Sequence, residues 1–453
     1  MLLLSFQERD VRITCEYIPA DLLAATPEPP SYEETSEAAA HWWEHYWTTG
    51  GIVDFSHCTD PRAKELERRV VLSQYLLAVN DAGDMPPQET GLTYNSWFGK
   101  FHLEMSWWHL APFALWGHPE MLDRPLSWYH AAAPKAREIA QRQGFEGLRW
   151  MKMTDPTAEE APSNVGSFLI WQQPHLIYLA ELLYRTAVRK SMEHRTHAAK
   201  PMEEQPLVYL RKYGQLVDET AGFMASFVTY DKENHRYTLQ GCIPAQETLK
   251  AATTVNPPFE LAYWRFGLSI AQQWRERRGM GRNAFWDDII NHLSPLAERE
   301  GLYLAAESAP DTYNDERLTS DHPAVLGACG ILPSSPLFDQ RIMRQTLHRV
   351  IDHWHWDHTW GWDYPMTAMC AARLGEPSKA IDALLMEQRT NTYLVCGHNY
   401  QDNRLRVYLP GNGGLLTAVA MMCAGWDGCQ ESNPGFPKDG LWDVRWEGLE
   451  RMP

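Results

Sequence analysis

The stretches Ile170–Arg185 (IWQQPHLIYLAELLYR) and Gly411–Trp426 (GNGGLLTAVAMMCAGW) have helical periodicity and are apolar on nearly every side. A helix of this kind has to be buried all round, as in the inner ring of a helical toroid. The stretch Pro134–Gly144 (PKAREIAQRQG) is instead polar on one face, as an outer-ring helix requires. The presence of both kinds indicates consecutive helical hairpins.

Helical periodicity dominates from residue 35 onward and predicts an all-α fold. We interpret it as an (α/α)6 toroid of six helical hairpins over residues 35–430. Residues 1–34 predict a short strand near 10–18 and a linker, which we interpret as the remnant of a β-sandwich domain, and 431–453 predict a C-terminal extension. The predicted helices cover 35–48, 64–80, 103–116, 124–143, 170–187, 206–229, 259–278, 283–299, 322–331, 337–354, 364–374, 377–389 and 412–425.

The net charge and the length of the apolar stretches argue against two classes of partner, nucleic acid and membranes. The 453 residues include 41 Lys and Arg against 58 Asp and Glu, a net charge of −17. An acidic surface repels phosphate backbones, and no apolar stretch approaches the ~20 residues of a membrane span, so we expect neither nucleic acid nor membrane as a partner. The sequence shows no secretion signal, which makes the cytoplasm the default expectation, although the N-terminus is compatible with truncation. It does not indicate the oligomeric state.

The cysteines point to a reducing compartment. The eight cysteines are scattered without a CxxC pair, which is typical of free thiols.

The aromatic content has two possible uses. The 20 tryptophans and 19 tyrosines either fill the core or stack on the apolar faces of sugar rings. Composition alone does not separate these two uses.

The segment His353–His358 (HWHWDH) has the HxHxDH spacing of two-metal hydrolases of the metallo-β-lactamase type. That chemistry needs a strand before the motif and a long βαβ half after it. Here the motif follows an amphipathic helix, and only about a quarter of the chain remains. We therefore predict no metal and no cofactor, and keep a metal hydrolase only as a rival interpretation.

The segment Asn95–Trp108 (NSWFGKFHLEMSWW) follows a polar loop, Gly83–Gly91, and leads into an aromatic helix start. Trp97, His102 and Glu104 are candidates for the wall of a sugar pocket. Helix capping and core packing account for the same residues equally well.

Together with Leu72–Val79 (LSQYLLAV), these segments resemble the inner-helix and loop pattern of glycoside hydrolase family 95, the inverting α-L-fucosidases and α-galactosidases. They are more distantly similar to the family 65 disaccharide phosphorylases. The resemblance covers about residues 65–430 and implies a six-hairpin catalytic domain that acts on a carbohydrate. Further landmarks follow in the same order: Ser167–His175, Ile243–Glu247, Asp321–Pro333 and Leu409–Gly414.

The resemblance assigns Glu247 as the general acid that protonates the glycosidic oxygen. The family takes its general base from an Asp at the position of Pro410, and proline cannot accept a proton. We predict Asp363 as the replacement, because it begins an inner helix between aromatic residues, with Asp402 as the alternative. A simple helix cap is the competing interpretation of Asp363.

These assignments predict a glycosidase of the inverting type, with hydrolysis of an oligosaccharide or glycoside as its reaction. Trp97, Trp171 and Trp362 would stack on sugar rings. The alternatives are a disaccharide phosphorylase, which needs no base carboxylate, a sugar epimerase that uses paired histidines, and a carbohydrate-binding toroid without catalysis. The sequence names neither the sugar nor the linkage. The residues expected to bind sugar hydroxyls are His102, Glu104, Gln173, His175 and Asn412.

Overall fold

The computed structural model describes residues 29–92, 94–95, 97–195 and 204–453, so the strand predicted near 10–18 lies outside the described residues. Contacts divide the chain into two units, Met1–Gly50 and Gly51–Pro453. The first unit contributes helix α1, Tyr32–Thr48. Ser31 caps this helix, and its hydroxyl and backbone N–H pair reciprocally with Glu34 in a capping box. The boundary predicted after residue 34 therefore falls inside α1.

The second unit is mostly helical and matches most of the predicted helices. A five-residue 3-10 helix, Ala324–Ala328, stands where a longer helix was predicted. Three shorter 3-10 turns cover Trp97–Gly99, Trp356–His358 and Arg389–Asn391. The α-helices are α2 Ala63–Asn80, α3 Ser106–Leu115, α4 Pro119–Leu126, α5 Trp128–Arg142, α6 His175–Arg195, α7 Glu204–Phe227, α8 Pro258–Arg277, α9 Ala284–His292, α10 Gln340–His353, α11 Asp363–Arg373, α12 Pro377–Leu384 and α13 Leu409–Ala424.

Six elements form a closed inner ring, in which α3, α6, α8, the 3-10 helix Ala324–Ala328, α11 and α13 each pack on the next and α13 returns to α3. Every residue of α3, α11 and α13 is buried, as the all-round apolar sequence of α13 predicts. The helices α2, α4, α7, α9, α10 and α12 pack outside this ring on their inner neighbours. The predicted (α/α)6 toroid is confirmed.

Short antiparallel strand pairs join the helices. The last strand, β10, pairs with β1, and Met452 N–H donates to the carbonyl of Gly425 at 3.2 Å. Residues 431–453 therefore belong to the same unit as the toroid. Within the described residues the five pairs are β1 Ile52–Asp54 with β10 Arg445–Glu447, β2 Phe101–His102 with β3 Met153–Thr154, β4 Thr229–Asp231 with β5 Arg236–Thr238, β6 Glu298–Arg299 with β7 Leu302–Tyr303, and β8 Thr392–Tyr393 with β9 Asn399–Tyr400.

Two predicted helices are shorter than expected because of local backbone restrictions. The helix predicted over 283–299 ends at His292. Two residues further on lies Ser294, where the following Pro295 disfavours helical geometry. The helix predicted over 322–331 is reduced to Ala324–Ala328. There Gly330 lies so close to α11 that a β-carbon on it would sit 2.6 Å from the carbonyl oxygen of Met366.

The ring closes through a contact between α13 and α3 that leaves no room for a side chain. A β-carbon on Gly413 would overlap the carbonyl oxygen of Trp108, and one on Gly414 would lie 2.6 Å from Pro365. The indole N–H of Trp116 donates to the carbonyl of Leu416 at 3.0 Å along the same seam. The two helices are thus held together at backbone contact distance.

We expect Gly413→Ala to lower the free energy of unfolding by about 1–3 kcal/mol, because the added methyl group forces α13 away from α3. Chemical denaturation measures this change. Gly281→Ala is the matched control, since a β-carbon there meets no atom within 4 Å. Equal stability of the two variants would contradict the close-contact account of ring closure.

Candidate active site

A cavity of about 520 Å³ opens at the end of the toroid where the inner elements begin. Helix N-termini carry partial positive charge, so this end of the ring favours anionic groups. The cavity wall includes Met105 before α3, His322 before the 3-10 helix Ala324–Ala328, Trp360 before α11 and Tyr408 before α13.

Part of the predicted site lines this cavity, namely Glu247, Trp97, His102 and Glu104. Trp97 lies at the rim with 36% of its surface exposed, and the guanidinium of Arg404 lies 5.4 Å from its ring. His102 and Glu104 are almost completely buried. Phe98 lines the same cavity and is 88% exposed, so the cavity combines accessible aromatic surface with charged groups further inside.

The loop that carries Glu247 is fixed on both sides of this residue. The backbone N–H of Ala245 donates to Glu260 Oε1 at 2.7 Å. The N–H and hydroxyl of Thr248 both donate to Asp321 Oδ2, at 2.7 and 2.6 Å. The side chain of Glu247, 35% exposed, thus projects into the cavity from a backbone with few alternative positions.

A chain of alternating charges runs along the cavity wall. His102 Nδ1 lies 3.5 Å from Glu89 Oε1 and 3.3 Å from Glu104 Oε1. Lys152 Nζ lies 3.7 Å from Glu104 Oε1 and donates to Glu247 Oε1 at 2.6 Å. Each positive group therefore sits between two carboxylates.

The charges of this chain stabilise one another against burial. Burial alone would lower the pKa of His102, but Glu89 and Glu104 outweigh it and raise that pKa to about 10. Burial also opposes the charge on Lys152, and the carboxylates of Glu104 and Glu247 outweigh it, so the pKa of Lys152 is raised. The two carboxylates therefore favour the protonated form of His102.

His322 forms a second polar group on the wall, supported from behind by Asp363. Its Nδ1 lies 2.9 and 3.0 Å from the two carboxylate oxygens of Asp363, and its ring stacks on Trp362 with 4.2 Å between centroids. Burial lowers the pKa of His322, but the Asp363 carboxylate outweighs this and raises it. The backbone N–H of Trp360 also donates to Asp363, at 2.8 Å.

The two carboxylates predicted as the general base, Asp363 and Asp402, do not line the cavity. Asp363 is completely buried and lies outside the cavity lining, so it meets the cavity only through His322. Asp402, the alternative, also lies outside the lining, where its Oδ1 accepts from the N–H groups of Arg404 and Leu405 in a turn. Neither carboxylate is placed to touch a water molecule inside the cavity.

Trp171, Trp362 and Gln173 were predicted to contact sugar, and the structure places all three in the packed interior. Trp171 and Trp362 stack on each other, 2% and 0% exposed. Gln173 is buried, where its side chain accepts from the N–H of Trp150 and donates to the carbonyl of Leu148. These side chains are used by the fold and are closed to a ligand.

His175 and Asn412 are likewise buried outside the cavity lining. The two ring nitrogens of His175 contact the hydroxyl of Tyr263 at 2.8 Å and the carbonyl of Glu104 at 3.0 Å. The amide nitrogen of Asn412 donates to the hydroxyl of Ser73 at 2.8 Å. Buried polar groups find partners inside the protein, which is why a motif position alone does not show that a residue faces a ligand.

Several residues line the cavity although the sequence analysis gave them no role. Glu89 lies in the quoted polar loop and His322 in the quoted landmark Asp321–Pro333, so both carried a signal that was not used. Lys152 had no signal, because it reaches the cavity only through the pairing of β3 with β2. Asp321 and Trp360 also line the cavity.

The HxHxDH motif does not assemble a metal site in the described part of the chain. Trp354 and Trp356 are buried, whereas His353 and His358 are exposed on either side of them. The alternation of His and Trp in this motif is therefore explained by the burial of the two indole side chains. The described His, Cys, Asp and Glu residues form one group with metal-binding proximity, and it is Glu89, His102 and Glu104.

Comparisons with known proteins bear on the fold. No protein-family model and no curated protein matches this sequence. The structure is similar to a solved chain described as "Putative kojibiose phosphorylase from human microbiome", with a TM-score of 0.61 and 10% identity over 92% of this chain. This chain spans 64% of the length of that protein.

A solved protein described as a glycosidase is also similar, with a TM-score of 0.56, 12% identity, and coverage of 79% of this chain and 97% of that one. A variant of the glycosidase, solved in complex with glucose, has a TM-score of 0.55. At these identities the likeness shows the shared six-hairpin toroid. Family 95 remains a resemblance that rests on the motifs.

The buried carboxyl of Glu260 predicts a pH-dependent stability. Burial raises the pKa of Glu260 to about 7, so the folded state holds a proton that the unfolded state has already released, and stability falls as the pH rises from about 4.5 to about 7. We expect Glu260→Gln, measured by chemical denaturation, to gain up to about 3 kcal/mol relative to wild type between pH 4.5 and pH 8. The exposed Glu316→Gln is the control, and an unchanged difference across this range would contradict the account.

Proposed function

We propose that the protein cleaves a glycosidic bond, with Glu247 as the proton donor. The observation that carries the proposal is that Glu247, with its side chain 35% exposed, projects from a fixed loop into a charged cavity. This cavity lies at the end of the six-hairpin toroid where the inner helices begin. Glycoside cleavage needs a carboxylic acid beside the leaving oxygen. Trp97 offers an aromatic face at the rim, and the glycosidase and the phosphorylase described above share the toroid.

His322 supplies the second function in this proposal. Asp363 engages Nδ1, which leaves Nε2 as the atom available to the cavity. In hydrolysis, neutral His322 takes a proton from the attacking water, and Asp363 is a positioning residue that orients the ring. This arrangement replaces the direct role of Asp363 that the sequence predicted, and the inverting outcome stays a prediction.

Phosphorolysis is the second candidate, and the cations of the cavity favour it. Lys100, Lys152 and His322 line the same cavity, and phosphate binds readily to such groups beside helix N-termini. A phosphorylase uses phosphate as the nucleophile and needs no base. Under this candidate, His322 acts as a cation that holds phosphate.

We expect Glu247→Gln to lower kcat/KM about 10²–10⁴-fold on alkyl glycosides or disaccharides, because their leaving groups need a proton. The loss should be much smaller on dinitrophenyl glycosides, whose leaving group departs unassisted. Steady-state kinetics on glucosides, galactosides, fucosides and glucuronides, with and without phosphate, measures both effects. Turnover that requires phosphate supports phosphorolysis.

The matched control for this experiment is the exposed Glu316→Gln, which should keep wild-type rates. Equal losses on both classes of leaving group would indicate a structural role for Glu247 and contradict its role as proton donor. Binding of sugar by both forms without any turnover would support a carbohydrate-binding toroid instead.

The role of His322 predicts how activity depends on pH. The Asp363 carboxylate raises the pKa of His322 above 6.5, so for hydrolysis kcat/KM should rise with pH through that raised value. Asp363→Asn removes the raising charge, and we expect the rising limb to move to lower pH. The pH profile of kcat/KM measures this shift.

Asp402→Asn, which alters a carboxylate outside the cavity, should leave the limb in place. His322→Gln should abolish the limb, which provides a second variant if Asp363→Asn does not fold. A limb at the same pH in all variants would exclude His322 as the base, whereas a falling limb at that pH would support the phosphate-holding role.

A further inference from the structure

We propose that Glu89, His102 and Glu104 form a binding site for one divalent metal ion of the Zn²⁺ or Mn²⁺ type, open to the cavity. Each residue offers one ligand atom, and these atoms lie within 4.8 Å of one another. Two carboxylates and an imidazole suit first-row divalent ions. The site uses none of the residues to which the proposed function gives a catalytic role.

The spacing of the ligand atoms favours a shared ion over direct hydrogen bonds. His102 Nδ1 lies 3.3 Å from Glu104 Oε1 and 3.5 Å from Glu89 Oε1. Ligand atoms about 2.1 Å from a tetrahedral ion are about 3.4 Å apart. A charge-assisted hydrogen bond between an imidazolium and a carboxylate is shorter, about 2.7–2.9 Å.

Buried oxygens without partners give a second, independent indication. Glu89 and Glu104 are 5% and 2% exposed, and the outer oxygen of each, Oε2, accepts no hydrogen bond from any residue that the structure describes. Such atoms are costly unless something satisfies them. Each of these carboxylates thus has capacity left for a cation.

The balance of charge around the cluster is consistent with a divalent ion. Metal binding requires a neutral imidazole, so the ion would displace the proton of His102. In that state, the carboxylates of Glu89, Glu104 and Glu247 and the ammonium of Lys152 leave two negative charges uncompensated. A single divalent ion neutralises both. The three ligands also leave a coordination position toward the cavity, as three-ligand catalytic metal sites do.

The bound ion would meet the hydroxyl groups of a ligand at the inner end of the cavity. Glu89, His102, Glu104 and Glu247 line one and the same cavity. Vicinal hydroxyls of a sugar are suitable oxygen donors for such an ion. The metal site rests on its own geometry, so it stands or falls separately from the glycosidase proposal.

The test measures metal binding directly. The full chain is stripped with a chelator and dialysed against Zn²⁺ or Mn²⁺, and the bound metal is quantified by mass spectrometry and titration calorimetry. We expect one ion per chain in the wild type and a loss of affinity of about 100-fold or more in Glu89→Gln, because a ligand is removed. Glu247→Gln should bind metal, which separates the site from the catalytic proposal.

His355→Ala is the matched control, since it alters the HxHxDH motif and leaves the cluster intact. Loss of metal in this control would assign the ion to the motif and overturn the proposal. Absence of stoichiometric metal in the wild type would also overturn it, and would leave His102 as a cation between two glutamates.

A spectroscopic measurement on the wild-type chain keeps the proposal testable if Glu89→Gln does not fold. Co²⁺ in a four-coordinate site with nitrogen and oxygen ligands absorbs visible light strongly, whereas hexaaqua Co²⁺ absorbs weakly. We expect the strong spectrum at one equivalent. A spectrum no stronger than that of free Co²⁺ would contradict the site.

Discussion

The contact between α13 and α3 is the constraint on which the toroid depends. Gly413 lies against the carbonyl of Trp108 without space for a β-carbon, and this seam joins the last inner helix to the first. A ring of helices encloses a core only when its ends meet, and helices that are apolar all round are stable only inside such a core. Closure also brings the starts of the inner elements to one end of the ring, where their loops together form the cavity.

The cavity is charged because its charges offset one another rather than because it is open to water. Glu89, His102, Glu104, Lys152 and Glu247 alternate in sign, and each cation lies between two carboxylates. Removing a charge from water is costly, and neighbouring opposite charges recover much of that cost. The network thus keeps several ionised groups in a largely buried wall, where their interactions with a ligand are stronger than at the surface.

The fold could be predicted from the sequence because all-round apolarity is a local property of each helix. The site was only partly predictable, because burial depth depends on how the helices pack. The amide of Gln173 has the same sequence signature whether it binds a hydroxyl or, as here, the backbone of Trp150. Position along the chain did not decide this: Glu247 in its loop and His102 in β2 line the cavity, whereas Gln173 just before α6 and Asn412 in the first turn of α13 are buried in the core.

The turn at Pro410 lies directly beside a loop that supplies a carboxylate to the cavity wall. Pro410 lies in the first turn of α13, where a missing N–H costs no hydrogen bond, and it is buried. The N–H of the preceding Leu409 donates to the backbone carbonyl of Glu89 at 3.0 Å, so the Glu89 loop lies directly against this turn. The resembled family carries its Asp on the turn itself. Here a carboxylate lines the same cavity from the adjoining loop, which is why the acidic groups have to be counted over the whole cavity wall rather than motif by motif.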